Sequence, residues 1–157
     1  MTDSKAVFPT PGSTTELESG ASLTPRFGSD GVVAAVATDA ESGEVLMLAW
    51  MNPEALALTI RTAEAHFYSR SRKRLWKKGE ESGNVLEVVE LRTDCDQDAV
   101  WMRVRMKGLG AACHTGHRTC FYRRIPLGPE AAAAATALQH AGTPIAFDPA
   151  KVYGDKG

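Results

Sequence analysis

The sequence has no apolar run approaching the roughly 18 residues of a membrane span, and its amino terminus lacks the basic-then-apolar layout of a signal peptide. These absences lead us to expect a soluble, cytoplasmic protein with no membrane partner. Charge of one sign is also missing: 18 Lys and Arg against 19 Asp and Glu leave a formal net charge of -1, so no global field favours nucleic acid or an anionic surface. Electrostatic recognition must then be local. Cysteine is scarce, with three in 157 residues, and an odd number cannot all pair within one chain. A disulfide framework is excluded, and a reducing cytosol would discourage pairing in any case. What remains suffices for one core, since 43% hydrophobic residues in 16.9 kDa fit a single domain rather than a tandem.

Residues 1–26 are rich in Ser, Thr, Pro and Gly without apolar periodicity, and read as a flexible tail. Residues 31–38 (GVVAAVAT) and 44–50 (EVLMLAW) are β-prone runs with turn chemistry at Glu41-Ser42-Gly43 between them, which predicts a hairpin. Asn52-Pro53-Glu54 supplies an N-cap, a first-turn proline and a first-turn carboxylate ahead of Leu56, Leu58 and Ile60, the best helix start in the chain. Further β-rich runs at 65–69, 85–92, 99–106 and 120–125 make the middle mostly sheet. The expected fold class is α+β, a compact β-rich single domain with one main helix packed on a mostly antiparallel sheet. An alanine run within 130–140 has high helix propensity but no large apolar stripe, and predicts a peripheral helix. The expected limits are a tail over 1–26, the domain over 27–126 and a carboxy-terminal extension over 127–157.

The densest cluster of metal-ligating residues is Arg92-Thr-Asp-Cys-Asp-Gln-Asp98. In an extended conformation, Asp94, Asp96 and Asp98 share one face and Cys95 takes the other. Carboxylates suit a hard ion such as Mg²⁺ and a thiolate suits Zn²⁺, so the alternation points to two metal sites of different character. An EF-hand loop is rejected, because its sixth position would be Ala99 and its twelfth Arg105. Gly110-Ala-Ala-Cys-His-Thr-Gly-His-Arg-Thr-Cys120 places Cys113 and Cys120 around His114 and His117. All three cysteines lie beside polar or charged residues, which favours ligation over packing. No paired CxxC knuckles are present; three thiolates leave a fourth position for water, whereas His114 or His117 as a further ligand would make the site structural. Six basic residues fall within Ser69–Lys78, among them Arg70 and Arg72, followed by a turn offering Ser82 and Asn84 as donors. In a nearly neutral protein this local excess reads as a phosphate grip, with Ser69 completing an anion cradle and Trp76 available to stack on a purine.

With these motifs in hand, the sequence resembles phosphoribosyl-AMP cyclohydrolase, the ring-opening enzyme of histidine biosynthesis. The resemblance runs from about Gly31 to Arg124 through VLMLAWMN (45–52), SRSRKRLWKKGEESGN (69–84), DCDQDA (94–99) and ACHTGHRTCF (112–121). Departures are small: Glu81 stands where Thr is frequent, and Leu86 near a position often held by Gln. The resemblance implies an intertwined homodimer with Zn²⁺ held by Cys95, Cys113 and Cys120 across the subunit interface, and Mg²⁺ held by Asp94, Asp96 and Asp98. It further implies a small phosphorylated nucleotide as substrate, an AMP whose adenine N1 carries a second ribose 5-phosphate, and hydrolysis of the N1–C6 bond. Alkylation at N1 makes C6 electrophilic, so catalysis needs mainly a nucleophile, and zinc lowers the pKa of its bound water from about 15.7 towards 7. Three thiolates blunt that acidification, and a nearby base helps: His114 first, His117 second. The competing expectation is a structural zinc module that binds RNA or another polyanion through the basic segment. A zinc nucleobase deaminase is excluded by the absence of His-x-Glu and Pro-Cys-x-x-Cys motifs.

Overall fold

The structure is a computed structural model that describes residues 8–129 and 137–154. Among these residues, three helices and eight strands follow in chain order: α1 (Thr14–Ser19), β1 (Val33–Asp39), β2 (Val45–Met51), α2 (Pro53–Thr62), β3 (His66–Ser69), β4 (Arg74–Lys77), β5 (Leu86–Thr93), β6 (Ala99–Met106), β7 (Arg123–Arg124), β8 (Gln139–His140) and α3 (Pro149–Tyr153). The α+β class stands, with a mixed sheet. Four strands form the main sheet in the order β2-β1-β6-β5, and β3-β4 and β7-β8 form two small hairpin-like ladders.

The expected hairpin is β1 and β2, antiparallel, with Val33 opposite Met51. Every second residue of β1 from Val33 to Ala37 is buried, as period-two geometry requires of a sheet face on a core. The pairing is mostly antiparallel, as expected, with one exception at the centre of the sheet, where β1 pairs β6 in parallel. A parallel neighbour needs a long crossover, and the whole segment from β2 to β5 provides it. Asn52 caps α2 as expected, its side chain accepting from the Ala55 backbone N–H, and Pro53 opens the first turn. This helix is the longest of those described and turns Ala55, Leu56, Ala57 and Thr59 inward. Leu56, Phe67 of β3, Leu86 of β5 and Met102 of β6 are almost fully buried in one core with Leu46 and Met51. Burying each such side chain stabilises by about 1.5–3 kcal/mol.

The described residues towards both ends carry local structure that their composition does not predict. Within the supposed tail, Ser13 and Glu16 form a reciprocal capping box at α1, and Thr24 and Arg26 hydrogen-bond to the turn before β6. Of the expected strand over 120–125, Arg123–Arg124 alone becomes β7, paired with β8. The expected helix over 130–140 lies largely outside the described residues, and its last two positions, Gln139 and His140, are strand. Among the described residues of the extension, helical structure falls at Pro149–Tyr153, capped by the Asp148 side chain on the Ala150 N–H at 3.0 Å.

Candidate active site

The loop from Ala111 to Cys120 is tied to the sheet hairpin along its length. Cys120 donates its backbone N–H to the Leu46 carbonyl at 2.8 Å, and the Thr119 hydroxyl donates to the Val45 carbonyl at 2.7 Å. Arg118 reaches Glu44 at 2.7 Å and Asp39 at 3.4 Å. The loop closes on itself through the Cys113 N–H to the His117 carbonyl, and Gly116 takes a positive φ of 92° at the turn. The sequence gives no periodic signal for this shape, which explains why no strand spans it.

Two thiols meet here. Cys113 is buried, and Cys120, although its residue is exposed, has a shielded sulfur whose pKa is pushed up to about 12, first by burial and then by the neighbouring Cys113. Lys78, 9% exposed, lies close to both, and burial lowers its pKa while the two sulfurs raise it. Burial disfavours the charged forms of the Cys120 thiol and the Lys78 amine alike, so a bound cation would offset the cost of ionising the paired thiols, and soft donors of this kind fit zinc. Cys95 does not join them: among the described residues, the only three candidate ligands whose donor atoms lie within 4.8 Å of one another are Asp94, Asp96 and Asp98.

Those three carboxylates converge, but through a turn rather than the extended alternation expected. Asp94 folds the turn on itself, its Oδ1 accepting from the backbone N–H groups of Asp98 at 3.0 Å and Ala99 at 3.1 Å, while Gln97 adopts φ 58°. Crowding has an electrostatic consequence. Hydrogen bonding to Asp94 and then Asp96 pushes Asp98 up to about 6, while Asp96 is held below the usual range by the hydrogen bond from Asp98 and by Arg26. The Arg26 guanidinium donates to Asp96 at 2.7 Å and Asp98 at 3.2 Å, a contact with no motif to announce it. A hard divalent cation fits this oxygen cluster.

A cavity of about 740 Å³ joins the basic segment to the thiol loop. Of the expected substrate contacts, Arg72, Trp76, Lys78 and Ser82 line it, together with His114. Ser69, Arg70 and Asn84 do not. Ser69 instead accepts from the Arg72 N–H at 3.2 Å and so shapes the β3-β4 turn; Arg70 lies over the Trp50 ring at 4.1 Å. Asn84 is 2% exposed and its Oδ1 accepts from the Leu109 N–H, a structural use. The two histidines also part company. His117 stacks on Tyr122 with centroids 3.7 Å apart, and its Nδ1 lies 2.9 Å from the Thr115 hydroxyl, which donates to the Cys113 sulfur. Sequence reasoning missed Thr115, and also Tyr153 and Ala150 of α3, which line the same cavity.

Known proteins place this arrangement. The family model for phosphoribosyl-AMP cyclohydrolase matches residues 47–122, which hold the basic hairpin, the acidic turn and the thiol loop. A phosphoribosyl-AMP cyclohydrolase of Sinorhizobium fredii is 53% identical over 150 residues, spanning 95% of this chain and 96% of its own. One from a strain of Rhodopseudomonas palustris is 53% identical over 153 residues, 98% of this chain and 99% of its own. That of Caulobacter vibrioides is 58% identical over 122 residues, 78% of this chain and 88% of its own. With identity above one half sustained across nearly the full length of both partners, the chain belongs to the phosphoribosyl-AMP cyclohydrolase family.

Proposed function

We propose that this protein opens the adenine ring of 1-(5-phosphoribosyl)-AMP by hydrolysing its N1–C6 bond, a step of histidine biosynthesis. The observation that carries the proposal is the cavity in which Arg72, Lys78 and His114 meet beside the Cys113–Cys120 pair. Cations and a general base are thereby collected within reach of a candidate metal site. The substrate carries two phosphate-bearing arms, and guanidinium and ammonium groups in the hairpin bind them by charge-assisted hydrogen bonds. A polyanion-binding module needs an open basic stripe, whereas these cations gather at one cavity, so the enzyme reading is preferred.

Cys113 and Cys120, with the Cys95 of a second copy, would hold zinc, which when bound would supply Lewis-acid activation of water. The chain's own groups do the rest. His114, exposed and lining the cavity, takes the proton of the nucleophile as it attacks C6, and returns a proton to N1 as the tetrahedral carbon collapses and the ring opens. Lys78 stabilises the thiolate charge. His117, turned away onto Tyr122, orients the loop through Thr115 rather than touching substrate. Asp94, Asp96 and Asp98 of the acidic turn would hold Mg²⁺, which would supply charge to organise substrate phosphate.

A homodimer is supported by two features of the single chain. Cys95 stands apart from the other two thiols. Val45 and Leu48 of the edge strand β2, with Phe121 beside it, are 45%, 48% and 54% exposed, an apolar surface suited to a second copy. The test of the function is absorbance-followed ring opening of phosphoribosyl-AMP by purified protein with Zn²⁺ and Mg²⁺. Cys113→Ala should lose both bound zinc and turnover; undiminished turnover in that variant would overturn the proposed site.

A further inference from the structure

We propose that the carboxy-terminal segment from Gln139 to Gly154 is a built wall of the substrate cavity, and that Tyr153 contacts the purine of a phosphorylated nucleotide there. The inference rests on the functional reading above and assigns it a further binding residue.

The segment is fixed to the thiol loop by backbone. Arg118 donates to the Pro144 carbonyl at 3.1 Å, Ala146 donates to the Gly116 carbonyl at 2.6 Å, and Ala141 donates to the Tyr122 carbonyl at 2.9 Å. Passage over the loop is close enough to dictate sequence: a Cβ on Gly116 would lie 2.1 Å from the Phe147 carbonyl oxygen. Phe147 itself is 9% exposed, a buried anchor just ahead of α3. The Asp148 cap and Pro149 then start the helix at once.

The spacing of Pro149, Ala150 and Tyr153 puts all three on one helix face, and these three line the cavity with Trp76, Lys78 and His114. The Tyr153 ring packs 6.1 Å from that of Phe147, inclined at 56°, so a buried residue sets its position. A cavity for phosphate alone needs only cations. Here two aromatic rings, Trp76 and Tyr153, accompany the cations, which is the chemistry that recognises a flat, phosphorylated base.

The experiment compares the full chain with Tyr153→Ala, Tyr153→Phe and a chain ending after Phe147, measuring KM and kcat for phosphoribosyl-AMP, AMP binding by calorimetry, and thermal melting. For Tyr153→Ala we expect KM to rise and AMP affinity to fall on the order of tenfold, more than any change in kcat, with a cooperative melting transition retained. Tyr153→Phe, which keeps the ring, should recover most of the loss. Unchanged KM and AMP affinity in Tyr153→Ala would overturn the proposal while leaving the function standing. If the full chain failed to turn over phosphoribosyl-AMP but Tyr153→Ala still weakened AMP binding, the function would fall and the wall would stand. Should the shortened chain not fold, Tyr153→Ala decides alone, because it leaves every backbone anchor in place.

Discussion

At the scale of single residues, the site separates groups that a linear motif presents together. His114 and His117 are three positions apart, yet one faces the cavity and the other is held by Tyr122 and Thr115. His114→Asn is therefore expected to lower kcat by about 10²–10⁴-fold, the usual worth of a positioned base, while His117→Gln costs less. Steady-state rates at saturating substrate check both. Asp98 offers a pH prediction with a definite sign. Its pKa is raised to about 6, so the metal-free turn favours its protonated form below that pH, and a divalent cation must displace the proton. Mn²⁺ affinity, measured by electron paramagnetic resonance, should rise as pH increases through about 6 and level off above it. A flat profile from pH 5 to 8 would contradict the shared-proton description of the three carboxylates.

Elements explain why some of this was legible in sequence and some was not. The hairpin of β1 and β2 and the start of α2 are local: alternation, Glu41-Ser42-Gly43 and Asn52-Pro53 each act within a few residues. Parallel pairing of β1 with β6 joins residues 65 apart, such as Ala34 and Ala99, and no short pattern encodes it. The acidic turn misled for a related reason, since period-two spacing was visible but the self-capping of Asp94 was not. The three carboxylates still converge, so the chemistry was readable where the geometry was not. The amino-terminal segment is held by Gln97, 4% exposed, whose side chain accepts from Thr24 N–H at 2.8 Å and donates to the Leu17 carbonyl at 3.1 Å. Gln97→Ala should cost about 1–3 kcal/mol of stability in urea unfolding, because it removes the partner of part-buried backbone groups at Leu17 and Thr24. Leu56→Ala on the buried face of α2 should cost about 2–5 kcal/mol by the same assay. Arg26→Gln removes the guanidinium from Asp96 and Asp98, and Mn²⁺ should then bind more tightly than to the unaltered chain.

At the scale of the whole molecule, near-neutral net charge conceals a division of labour between an acidic turn beside β6 and a basic hairpin beside the thiol loop. Among the described residues no helix is long and apolar enough to cross a membrane. The three cysteines that looked odd in number fall two and one, Cys113 with Cys120 and Cys95 apart, as the proposed division of the ligand set between two copies requires. That division is the central claim, and subunit mixing tests it. Cys95→Ala and Cys113→Ala chains, each inactive alone, are co-refolded in equal amounts with Zn²⁺ and assayed for ring opening. In a two-fold dimer with ligands shared across the interface, half of the dimers are hybrids and each hybrid holds one complete site, so activity should return to about one quarter of the unaltered protein. A mixture as inactive as its parents would contradict the shared site.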